Sequence, residues 1–151
     1  MPTDTSAEPR GTFLDTSVAI ALVVEDHEAH AVALEALRGR RLGLAGHAWF
    51  ETYSVLTRLP GPQRRSPADA LALLANNFPA TGFLDTSAAA ALGAEVARLG
   101  ISGGAIYDAL VGATARQHGR VLISADARAR AVYEALGVQV ELLSLTPVHQ
   151  P

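Results

Sequence analysis

Four acidic residues occupy positions where a carboxylate is costly unless it is used: Asp15, Glu51, Asp108 and Asp126. Asp15 closes the run Gly11-Thr12-Phe13-Leu14 and precedes Thr16 and Ser17. It therefore reads as the carboxyl end of a buried strand, with Thr16 or Ser17 starting a helix as N-cap. Open α/β sheets place their ligands at that end of a strand. Asp126 follows Val121-Leu122-Ile123 by a three-residue step, again at a strand's carboxyl end. Glu51 lies in a helical stretch beside Trp49 and Phe50, and burying an acid among large apolar groups demands a partner or a cation. Asp108 shares its helix face with Gly104, Ala105, Val111 and Gly112, and no basic residue lies within a turn. That small-residue stripe predicts close approach to the sheet, with Asp108 facing inward, where a lone carboxylate tends to stay protonated.

Each acid has a structural alternative. Asp15 and Asp126 could simply cap helices, Glu51 could point outward, and Asp108 could be a protonated structural group. Gathered at the strand ends, however, four carboxylates would repel one another unless a hard divalent cation sat among them. Mg²⁺ or Mn²⁺ takes oxygen ligands and keeps several waters. Such a site activates water and stabilises charge on a phosphate, so the chemistry indicated is metal-assisted phosphodiester hydrolysis. A near-copy of the first motif, Thr81-Gly82-Phe83-Leu84-Asp85-Thr86-Ser87, leads into an Ala-rich helix with no further acid before Glu95. There Asp85, Thr86 or Ser87 is expected to cap and nothing more.

The elements that must position these acids alternate. Strands are expected at about 12–15, 42–45, 120–123 and 138–143, with a strand or extended segment at 81–85. Helices are expected at about 17–24, 25–37 (opened by the acids of Glu25-Asp26-His27-Glu28), 46–59, 67–76, 87–99, 102–118 and 127–136. Pro60-Gly61-Pro62 stops one helix, and Ser66-Pro67 caps and starts the next. Alternating strands and helices imply parallel crossovers and an α/β fold: a three-layer α/β/α sandwich with a mainly parallel central sheet. One domain is expected over residues 11–145, between a mobile tail at 1–10 and a short C-terminal tail at 146–151.

Composition narrows the classes. With 49% hydrophobic residues and mean hydropathy +0.20, the 151-residue chain is long enough to bury a sizeable core. There is no Cys, which removes disulfides and thiolate metal sites and agrees with a reducing, cytoplasmic setting. No apolar run approaches a membrane span, and the N-terminus lacks a signal-peptide pattern. Net charge is −3, so no overall basic field draws nucleic acid. All 12 basic residues are nevertheless Arg, in clusters such as Arg38, Arg40 and Arg41 or Arg128 and Arg130, and guanidinium forks suit phosphate.

Taken in order, Leu14-Asp15-Thr16-Ser17, Phe50-Glu51-Thr52-Tyr53, Tyr107-Asp108-Ala109-Leu110-Val111-Gly112-Ala113 and Ser124-Ala125-Asp126 resemble a PIN-domain ribonuclease, with a length and order similar to the VapC toxins of bacterial toxin–antitoxin pairs. The resemblance spans about residues 12–143. It implies a Mg²⁺- or Mn²⁺-dependent endoribonuclease that cuts structured RNA, forms a homodimer and is held inactive by a VapB-type antitoxin. It also implies Asp15 and Asp108 as metal ligands, Glu51 and Asp126 completing the quartet, and Ser17, Thr16 and Ser124 as hydrogen-bonding support. Ser124 departs from the Thr frequent in the family but keeps the hydroxyl. The absence of Lys leaves an RNA path resting on Arg alone. Helices 17–37 and 47–59 hold the apolar stock an antitoxin could cover. Two rivals stay open: another metal-dependent phosphohydrolase on a similar sheet, and a non-catalytic binding module whose acids only cap. A phosphatase of the haloacid dehalogenase type would need an acid two residues after Asp15, where this chain has Ser17.

Overall fold

The computed structural model describes residues 10–146; the two expected tails, apart from Arg10 and Thr146, lie outside the described residues. Four parallel strands form one sheet in the order β2-β1-β3-β4: β1 (Thr12–Leu14), β2 (Leu42–Leu44), β3 (Leu122–Ser124) and β4 (Val140–Leu142). The helices are α1 (Thr16–Val23), α2 (His30–Leu37), α3 (His47–Thr57), α4 (Pro67–Asn77), α5 (Thr86–Arg98), α6 (Ala105–His118) and α7 (Ala127–Ala135), with a single 3-10 turn at Gly61–Gln63. Among the described residues no helix is long and apolar enough to cross a membrane.

Side-chain alternation along the strands divides the core in two. Leu14, Leu44 and Ile123 point to the face covered by α1 to α4, while Phe13 and Leu122 point to the face covered by α5, α6 and α7. The three layers expected from the sequence are those found. Because β1 is central and flanked by β2 and β3, the residue after it emerges in the middle of the sheet's carboxyl edge. That residue is Asp15.

Three local expectations are corrected. Asp15 itself is the N-cap of α1, accepting from the Val18 N–H, so neither Thr16 nor Ser17 caps; Thr16 is the first helical residue. Residues 25–29 are turns rather than the start of α2: the His27 Nδ1 accepts from the Ala29 N–H, and the His27 carbonyl accepts from His30 N–H. The acids of this segment therefore lie before the helix and do not offset its dipole. Likewise α6 begins at Ala105, because Ser102-Gly103-Gly104 turns before it.

The 81–85 segment forms no strand; a parallel bridge between Ala45 and Gly82 and a bond from the Leu44 N–H to Thr81 Oγ1 at 3.0 Å hold it along β2. It lies so close to β2 that a Cβ on Gly43 would come within 2.3 Å of the Ala80 backbone, which explains why a glycine sits mid-strand. Asp85 caps α5 through the Ala88 N–H at 2.7 Å, as its sequence context suggested. The Ser66-Pro67 start of α4 also stands, with Ser66 Oγ accepting from the Asp69 N–H.

Candidate active site

Asp15, Glu51, Asp108 and Asp126 line one cavity, together with Thr16, Ser17, Val111 and Tyr133. They come from the end of β1, the second turn of α3, the first turn of α6 and the loop after β3. The cavity measures about 80 Å³, room for an ion and a few waters but not for a nucleotide.

Asp15 is the fixed point. It is 4% exposed, and its backbone N–H donates to the Ile123 carbonyl, which locks β1 to β3 beneath it. Ser17 Oγ donates to Asp15 Oδ1 at 2.5 Å, and Tyr133 Oη donates to Oδ2 at 3.1 Å. Ser17 Oγ also accepts from the Ala125 N–H at 3.1 Å, tying the β1–α1 junction to the β3–α7 loop. Burial pushes the Asp15 carboxyl above the ordinary range, opposed by hydrogen bonds from Ser124, Ser17, the Val18 N–H and Tyr133. Burial and the neighbouring negative charges push the Tyr133 phenol far upward, so it stays neutral and donates.

Asp108 is half-buried, and its pKa is pushed up to about 6. Burial is the largest cause, followed by the charges of Asp126, Glu51 and Asp15; Arg128 alone pulls the other way. The shift follows from the convergence of the four acids on one cavity, because acids far apart in solvent would not perturb one another. Asp126 also caps α7, accepting from the Arg128 N–H at 2.9 Å, so its capping and site positions coincide. Its own N–H donates to Ser124 Oγ at 3.0 Å. Glu51 is partly exposed at the rim, with Oε1 3.2 Å from His47 Nε2.

Thr16 contributes to the cavity wall, and Ser17 and Ser124 bridge Asp15 to the loop that carries Asp126. All seven residues singled out from the sequence thus fall in one place. Tyr133 was missed. A faint signal existed: it lies seven positions after Asp126, two turns along the helix that Asp126 caps, and aligned with the buried Ala129. Asp108 faces inward as the small-residue stripe predicts, but at Gly112 the close neighbour is α7: a Cβ there would stand 3.0 Å from Tyr133 Cδ1.

The donor set suits a hard cation: carboxylates only, mutually repelling, with one weakly placed guanidinium, Arg128 Nε, 3.9 Å from Asp126 Oδ1. Among the described residues no three acid or imidazole side chains close tightly enough to encircle an ion unaided.

Residues 12–135 match the family model described as the PIN domain. The chain belongs to the PIN-domain family. Its PIN domain is 46% identical over 127 residues to "Ribonuclease VapC27" of Mycobacterium tuberculosis, covering 84% of this chain and 93% of that protein. It is 45% identical over 134 residues to "Ribonuclease VapC40" of the same species, covering 86% and 97%. Within the PIN-domain family this chain is thus of the VapC type. Its fold is also that of a chain in "Structure of FitAB bound to IR36 DNA fragment", with TM-score 0.62, 19% identity and coverage of 93% and 99%. A chain in "Crystal Structure of FitAcB from Neisseria gonorrhoeae" superposes with TM-score 0.59 at 20% identity, covering 85% and 95%.

Proposed function

We propose that this PIN-domain protein is a metal-dependent endoribonuclease, the toxin of a toxin–antitoxin pair, which hydrolyses phosphodiester bonds in structured RNA such as tRNA or rRNA. The observation that carries the reading is the meeting of Asp15, Glu51, Asp108 and Asp126 on the wall of one small cavity, from four separate parts of the chain. Its VapC-type relatives, named as ribonucleases over more than nine-tenths of their length, support the substrate class.

In this reading Mg²⁺, or Mn²⁺ in its place, supplies Lewis-acid stabilisation of the phosphate and a water of lowered pKa. Asp15 and Asp108 would hold the ion, with Glu51 and Asp126 adding negative charge beside it. Ser17 and Tyr133 aim the two Asp15 oxygens, as hydrogen bonds behind a ligand generally do. Val111 and the Tyr133 ring form the apolar side of the cavity and limit bulk water there. Arg128, 97% exposed, is free to reach a phosphate beside the acids.

A VapB-type antitoxin would cover the rim, placing a cationic side chain against the acids. Phe50 at 56% exposure on α3 and Leu34 at 47% on α2 offer it apolar footing; α1, by contrast, spends its apolar residues on the core. A homodimer working in the cytoplasm completes the proposal. The test is cleavage of cellular RNA by purified protein with Mn²⁺, with chelator, and by Asp108→Asn. The first should cut and the others should not; cutting by Asp108→Asn at the wild-type rate would remove the reading.

A further inference from the structure

A cavity of about 80 Å³ leaves every base of an RNA substrate outside it, so something beside the acids must hold one. Tyr107 stands in the first turn of α6, immediately before Asp108, and 52% of its surface is exposed. Its ring lies against the His47 imidazole, centroids 4.9 Å apart and planes 14° from parallel. His47 opens α3 and is itself tied to Glu51 across 3.2 Å. An isolated exposed tyrosine would need no explanation. This one is backed on one face by a second ring, and both rings are joined directly to candidate ligand residues, Tyr107 by sequence and His47 by contact.

We propose that the open face of Tyr107, braced by His47, is a stacking platform for an unpaired nucleobase next to the scissile phosphate. The inference rests on the ribonuclease reading above. Unstacked bases are taken up on aromatic faces in single-stranded segments, loops and bulges, and a tyrosine does this at small entropic cost because it has few rotatable bonds. A base inside a duplex cannot leave its stack as readily, so the cut falls in an unpaired stretch of an otherwise folded RNA. The acid cavity repels the phosphate backbone when no cation is present, whereas a neutral base on an aromatic ring suffers no such repulsion. The platform therefore contributes to RNA binding before and independently of the hydrolytic step.

The test uses the full chain and whichever RNA the wild-type protein cuts in total cellular RNA, prepared by transcription. Tyr107→Ala should raise KM, and raise Kd measured in chelator, by roughly 5- to 100-fold, the range expected for one lost base stack, with kcat little changed. Tyr107→Phe and Tyr107→Trp should restore both, and indole emission from Tyr107→Trp should be quenched by RNA in chelator while the emission of wild-type Trp49 is not. Equal KM and Kd in Tyr107→Ala and wild type would overturn the platform. So would unchanged RNA binding with weakened self-association or antitoxin binding, which would assign the ring to a protein interface. A wild-type protein that cuts no RNA in Mn²⁺ would instead bring down the ribonuclease reading.

Discussion

Tyr133 donates its phenolic hydrogen to Asp15 Oδ2 at 3.1 Å, across 118 positions of sequence. The bond joins the last helix to the end of the first strand and fixes which way the most buried carboxylate of the site faces. Both residues are almost wholly buried, so neither end can exchange its partner for water at no cost. Tyr133→Phe keeps the ring and removes the bond. It should lower cleavage or metal affinity roughly 10- to 100-fold, and stability by about 1 kcal/mol. Calorimetric Mn²⁺ titration beside thermal melting would check both; unchanged metal affinity would reduce the bond to a structural one.

Asp108→Asn should abolish cleavage yet make the metal-free protein more stable. The substitution removes a charge that Asp126, Glu51 and Asp15 oppose. Asp108 is only half-buried, so solvent screening holds the gain to on the order of 1 kcal/mol, or roughly 2–4 °C in Tm for a chain of this size. Melting curves in chelator at pH 7.5 read this directly. A lower Tm than wild type would contradict the convergence of charge.

The same group sets a pH dependence. Asp108 titrates near about 6 in the folded chain against an ordinary 3.8, and Asp15 is shifted in the same direction. Between those values the folded state holds protons the unfolded state has released. Stability in chelator should therefore fall as pH rises from about 4 through about 6. Millimolar Mg²⁺ should flatten the slope, because a cation replaces the proton as the counter-charge. Parallel slopes with and without Mg²⁺ would argue against an ion among these acids.

Gly112→Ala tests how the site is braced. The added Cβ would stand 3.0 Å from Tyr133 Cδ1 and 3.4 Å from Leu136 Cδ1, so α7 must yield by a few tenths of an ångström. Overpacking of this kind costs roughly 1–3 kcal/mol, against a helix-propensity gain of up to about 1 kcal/mol. Net destabilisation with reduced cleavage is expected. Urea unfolding and an RNA cleavage assay, run on the same preparation, would show whether the Tyr133 hydroxyl has been drawn away from Asp15.

Asp85→Ala provides the contrast. Asp85 shares its local sequence with Asp15 but is exposed, caps α5 and bonds Gln117, away from the acid cavity. Losing the cap should cost about 1 kcal/mol and leave cleavage intact. A large loss of activity with native stability would place a function at the second motif.

The chain's own order of residues determined much of this protein. Strands ending in Asp15 and Asp126, the small-residue face of Asp108 and the helix bearing Glu51 were legible because apolar periodicity and the cost of isolated carboxylates act locally. Parallel layering followed from alternation of short strands with helices. Where turns won, at Glu25-Asp26-His27-Glu28 and Ser102-Gly103-Gly104, side-chain and glycine chemistry outweighed a helical pattern of composition. The Ala-rich helix after Asp85 already marked it as a cap, although its neighbouring residues nearly copy those of Asp15; only the tertiary structure showed why the two differ. The difference is position in the sheet: β1 is central, so Asp15 meets Ser17, Ser124 and Tyr133 in a buried cavity, while the segment before Asp85 runs outside β2, joined to it at Thr81 and Gly82. Long-range packing, not local pattern, decides which of two like carboxylates loses its water and gains charged neighbours.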